Sequence, residues 1–313
     1  RLANHAAEEG SGGFANLEVN AFKMFNDCVT TLIEERASMT LAEILKLQTV
    51  LTDFALKCYP HRFDYVTHTL GTCCALIEKM DTEQTSSAET TEQIETLLSA
   101  PLSTLALKVL EIAPYSKLMT YLPWSNWRQV ASNLMRSVVS SRKPLVDSDQ
   151  VEQLFNAVTP LLRDKEADNG SNNEEYPSKD LSNEFKEEQM LVARVVHLIV
   201  NDDTDALLVM YVSCRTYFTT GGSNRMQFTL VPLVFAALSL ARKVFAREQA
   251  VASGESESAP RVSTRKVFQF VLEIITALAT SFPELAFNLF LQAVHVSSIV
   301  YCIGWQHIDV CVL

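Results

Sequence analysis

Seven cysteines (28, 58, 73, 74, 214, 302 and 311) and histidines at 61, 68, 197, 295 and 307 are the residues whose chemistry could go beyond packing. A thiolate beside an imidazole would make a nucleophile, and a cluster of both would hold zinc. The spacing supports neither. His61 and His68 are seven apart, as on one helix face, but no close pair of acidic or thiolate ligands accompanies them, and Cys73 and Cys74 are adjacent and point to different faces. An odd number of cysteines with no C-x-x-C reads as reduced, buried thiols. The segment TTGGSNR is glycine-rich but matches neither G-x-G-x-x-G nor G-K-[ST], and a helix rather than a strand precedes it. Gly221 and Gly222 are therefore expected to end that helix in left-handed geometry. No catalytic, cofactor or metal residue is assigned, and no set of acid, base and nucleophile converges.

The elements that carry these residues are helices. With 9 Gly and 10 Pro in 313 residues, 48% hydrophobic and 20% charged, a barrel or sandwich built from many tight turns is disfavoured. Leu17, Phe22, Phe25, Val29, Leu32 and Ile33 recur at helical spacing. Thr40 and Glu43 form a capping box opening LAEILKLQTVLTDFALKCY, which Pro60 stops. Phe63, Val66, Leu70, Cys73, Ile77 and Met80 stripe a third helix, and shorter ones are punctuated at Pro101, Pro114 and Pro123. Further helices are expected over 124–141, 148–163, 184–200, 203–218, 230–247 and 264–280, with a last one opening at Ser281 through S-x-x-E. No strand alternation stands out. About a dozen amphipathic helices on short loops fit a compact bundle or a stack of helix pairs, and the succession of antiparallel pairs favours the stack. The fold class expected is all-α: a right-handed α-solenoid of antiparallel helix pairs, HEAT-like or ARM-like.

The expected organisation is a flexible lead-in over 1–13, solenoid segments over 14–163 and 184–296, an acidic disordered loop over 164–183, and a divergent end over 297–313. Residues 164 to 189 hold nine acidic side chains against three lysines. Asn169 begins a formal glycosylation sequon, read as chance beside reduced thiols. A net charge of −11 gathers no phosphates, so nucleic acid is not an expected partner, and anionic lipid is not bound unaided. Two apolar runs invite a membrane reading. Residues 228–240 are too short for a span. Residues 285–308 are long enough, but Asn288, Gln292 and His295 lay a polar stripe along one face, as a solenoid helix needs. The chain starts at Arg1, without a leader, and reads as a fragment.

Leu56-Lys57-Cys58-Tyr59-Pro60 followed by Arg62, Asp64, Tyr65 and Val66, then EEQMLVARVVHLI (187–199), GGSNRMQFTLVPLVFAAL (221–238) and LFLQ (289–292), stand in a family's order. Together they resemble the vacuolar protein sorting-associated protein 35 family, the large scaffold subunit of retromer, over about residues 14 to 296. The departures are local: Arg215-Thr216-Tyr217-Phe218-Thr219 precedes the paired glycines, and Val231 stands where the family often has a second proline.

The resemblance implies a non-enzymatic scaffold, cytoplasmic and peripheral on the endosomal membrane, acting in endosome-to-Golgi or endosome-to-surface retrieval. Its implied partners are the small phosphoesterase-fold subunit, the arrestin-like subunit (whose motif is absent here), cargo tails, sorting nexins and a small GTPase. Another helical-repeat coat or transport adaptor is the alternative. Arg194, His197, Gly221, Gly222, Arg225 and Pro232 are the expected family-signature or partner-contact residues. For Arg194, His197 and Arg225 a local role in capping or pairing competes with contact, and for Phe228, Pro232, Leu233 and Phe235 core packing is the favoured reading.

Overall fold

The computed structural model describes residues 20–36, 38–80, 87–163, 182–254 and 261–308, with side chains to Val300. The expected lead-in over 1–13, Leu17, the bulk of the acidic segment (164–181) and the sequon at Asn169 lie outside the described residues. The fold is all-α. Among the described residues the only extended pairing is a single parallel bridge, Leu145 with Ile199. The chain divides into two compact units between Ser141 and Arg142.

The first unit runs α1 (Ala21–Glu35), α2 (Leu41–Cys58), α3 (Phe63–Ile77), α4 (Ala88–Ser99), α5 (Leu102–Leu105), a 3₁₀ turn (Ala106–Glu111), α6 (Ala113–Met119) and α7 (Trp124–Ser141). Thr40 and Glu43 make both bonds of the expected capping box, satisfying two amides that the first turn of α2 would otherwise leave free. α2 packs on α4 and α4 on α7, while α3 packs on both α2 and α6. Short connections make such neighbours antiparallel. Leu45, Leu70, Ile94, Leu97, Val109 and Leu134 are fully buried between them. Two buried hydroxyls, Thr52 and Thr69, bond at 3.0 Å across α2 and α3, so neither is left unpaired in the core. His61 sits in the turn before α3, not on it, so the expected shared face with His68 does not exist.

The second unit runs α8 (Ser148–Ala157), α9 (Thr159–Leu162), α10 (Asn183–Val195), a 3₁₀ turn (Val196–Leu198), α11 (Thr204–Thr220), α12 (Ser223–Ala252), α13 (Thr264–Ala279) and α14 (Pro283–Ile308). α8, α11 and α13 pack in succession, as do α10, α12 and α14, and α12 through α14 also pack on their sequence neighbours. This serial, two-row stacking is the helix-pair stack of an α-solenoid. On α13, Val267, Phe270, Val271, Ile274, Ile275 and Leu278 are buried. At about 1.5–3 kcal/mol each, their burial outweighs any propensity term in holding the helix.

Several boundaries differ from the sequence expectation. The helix expected from Leu230 starts at Ser223 and runs 30 residues through Pro232. The helix expected over 148–163 breaks at Val158 into α8 and α9, because Pro160 cannot donate to the ladder. The last helix begins at Pro283, which places Phe282, not Ser281, at its cap, with Phe282 accepting from the Ala286 amide.

Candidate functional site

Two of the six signature residues, Gly221 and Arg225, meet in one buried node where α9, α10 and the α11–α12 turn converge, with Gly222 exposed beside them. Gln189 on α10 donates to the Leu161 carbonyl at 2.9 Å, and the Arg225 Nε donates to the same oxygen at 3.3 Å. Arg225 Nη1 donates to the Gly221 carbonyl at 3.0 Å, and its guanidinium lies 5.1 Å from the centre of the Phe185 ring. These are the last carbonyls of α9 and α11, acceptors that a helix end leaves free, so Arg225 caps two helices at once. Glu188 is buried on the same helix as Phe185 and Gln189. The two glycines differ in their reason for being there. Gly221 has φ −83 rather than the left-handed geometry expected, and a Cβ on it would lie 1.9 Å from the Leu162 carbonyl oxygen. Gly222 carries the left-handed φ, +87, and opens onto free space. The backbone thus needs one glycine for approach and the other for torsion.

Arg194 and His197 are placed elsewhere. Phe185 and Arg194 are nine residues apart, about 13 Å along the axis of α10. Both Arg194 and His197 are exposed, on the face that also shows Met190. Just beyond, the Leu145–Ile199 bridge joins two extended segments: Leu145 donates to Leu198, Val200 to Leu145, and the Asn201 amide to the Val146 carbonyl at 2.8 Å. That pairing turns the chain out of α10 into α11 and explains why the helix stops at Val195 rather than reaching Val200. Pro232 is half-buried inside α12, whose Leu233 is fully buried. Phe235 is the exception to the expected core reading, standing exposed on the outer side of α12.

The node and the Arg194–His197 face are therefore separate, one spent on holding helices and the other open to solvent. Phe185, Glu188 and Gln189 were not singled out from the sequence. A signal was present, since Phe185, Glu188, Gln189, Val192 and Val195 recur at three- and four-residue spacing on the apolar face of α10, which marks the two polar members as buried. Two further polar clamps went unread. The Asp205 carboxylate accepts from the amides of Arg261 and Val262 at 3.0 and 2.9 Å, and Glu248 accepts from the Thr264 amide and hydroxyl at 2.9 and 2.6 Å. They pin the start of α13 to α11 and α12.

Chemistry at the buried thiols is suppressed. Cys73 is buried and pushed up to about 12, Cys214 is pushed up by burial as well, and Cys74 donates to the Pro114 carbonyl at 3.5 Å. A thiol held protonated is neither nucleophile nor metal ligand. Among the described residues no three of His, Cys, Asp and Glu gather to hold a metal. α12 alone among the described helices is long and apolar enough to cross a membrane, but half of its most apolar stretch is buried against other helices.

Comparison with known proteins matches residues 1–303 to the family model described as Vacuolar protein sorting-associated protein 35. Vacuolar protein sorting-associated protein 35B of Arabidopsis thaliana is 30% identical over 303 residues, covering 95% of this chain and 36% of the relative. Vacuolar protein sorting-associated protein 35A of the same plant is 30% identical over 298 residues, 93% of this chain and 36% of the relative. In Dictyostelium discoideum, Vacuolar protein sorting-associated protein 35 is 30% identical over 299 residues, 94% of this chain and 37% of the relative. The chain spans a little over a third of the length of these relatives.

Proposed function

Because the chain belongs to the vacuolar protein sorting-associated protein 35 family, we propose that it supplies a stretch of the retromer scaffold and acts in protein sorting by assembly rather than catalysis. The observation that carries this is the near-complete family match, residues 1–303, on a chain whose helices stack serially in each unit. Stacked pairs offer long, rigid outer surfaces and little concave chemistry, which suits holding several partners at once. The partners in this reading are the small phosphoesterase-fold subunit and the arrestin-like subunit, with cargo tails collected at the cytoplasmic face of endosomes. Arg194 and His197 are the signature residues exposed to a partner, Pro232 is half-buried, and Arg225 serves the fold.

A chimera tests the reading. The matching third of the Arabidopsis thaliana 35B relative is replaced by residues 1–303 of this chain, and assembly with the two other subunits is measured together with vacuolar sorting in cells lacking the native scaffold. Assembly and restored sorting are expected; a chimera that folds but neither assembles nor sorts would sink the proposal. Used alone, the 313-residue chain is expected to capture the small phosphoesterase-fold subunit weakly, because a shortened stack offers less contact area. Extending it with a homologous C-terminal half should restore capture, and equal capture by both would place the contacts within the present helices.

A further inference from the structure

We draw no further inference here: the strongest candidate, the exposed surface patch of Met190, Arg194 and His197 along the outer side of α10 and the 3₁₀ turn after it, with Val146 and Val200 of the bridged segments just beyond, belongs to the face already described, and nothing in the structure shows what covers it.

Discussion

At the scale of single residues, the second unit depends on Arg225 and the paired glycines. Replacing Arg225 by Met keeps much of the stem but removes its donor from the Gly221 carbonyl and leaves the Leu161 carbonyl to Gln189. A loss of about 1–3 kcal/mol in urea unfolding is expected. Gly221→Ala pushes a methyl into the Leu162 carbonyl and should cost at least about 2 kcal/mol, whereas Gly222→Ala meets open space and bears only torsional strain, about 1 kcal/mol. An equal cost for the two would mean that close approach does not govern Gly221. The buried thiols set an alkaline limit. Cys73 keeps its proton in the folded chain up to about 12, while an unfolded thiol releases it near 9.0. The sign follows: the native state binds the proton that the unfolded state gives up, so the contribution is whole below about 9 and is lost progressively as pH rises toward 12. Melting temperature should fall from pH 8.5 to pH 10.5, and Cys73→Ala should flatten part of that slope. Exposed Cys28 should react with a thiol reagent under native conditions, and Cys73 and Cys214 only after unfolding.

Among the helices and turns, starts signalled by local chemistry were legible and those set by tertiary contact were not. Thr40 and Glu43 announce α2 because both partners of the box lie within four residues. The start of α12 is hidden, since its first turn, Ser223-Asn224-Arg225, is polar and lacks an apolar period. Its cap is a glycine whose torsion matters more than any side chain, and Arg225 bonds a carbonyl 64 residues away. The end of α10 is likewise decided by Leu145, 54 residues upstream of its partner Ile199, a distance no window reading spans. The candidate site divides the same way. Exposed Arg194 and His197 could be named from a resemblance, while the buried trio of Phe185, Glu188 and Gln189 needed the fold to show what they face. One junction holds strain. Ala106, between α5 and the 3₁₀ turn, has φ 48 and ψ −121, a region that an L side chain rarely adopts. Ala106→Gly relieves strain of about 1–3 kcal/mol against about 0.4–1 kcal/mol of added unfolded-state freedom, so a net gain near 1 kcal/mol is expected. A lower melting temperature for the variant would show that the torsion is not strained.

For the whole molecule, charge sets how copies meet: a net charge of −11 makes them repel. At about 0.5 M salt the Debye length shrinks to a few ångströms and that long-range repulsion is screened. The second virial coefficient measured by static light scattering should therefore fall as salt is raised, and a coefficient that does not change with salt would show that net charge does not govern the contacts between copies.

The Leu145–Ile199 bridge, the Leu161 carbonyl shared by Gln189 and Arg225, and the packing of α8 on α11 all tie residues before 164 to residues after 181. Within this unit, covalent continuity across 164–181 is therefore redundant with non-covalent connection. Two polypeptides, one ending at Arg163 and the other beginning at Ser182, should find each other when co-expressed, and a tag on one should bring down its untagged mate. The acidic stretch is then a site where the gene can be cut, or a foreign domain inserted, without dividing the object it encodes.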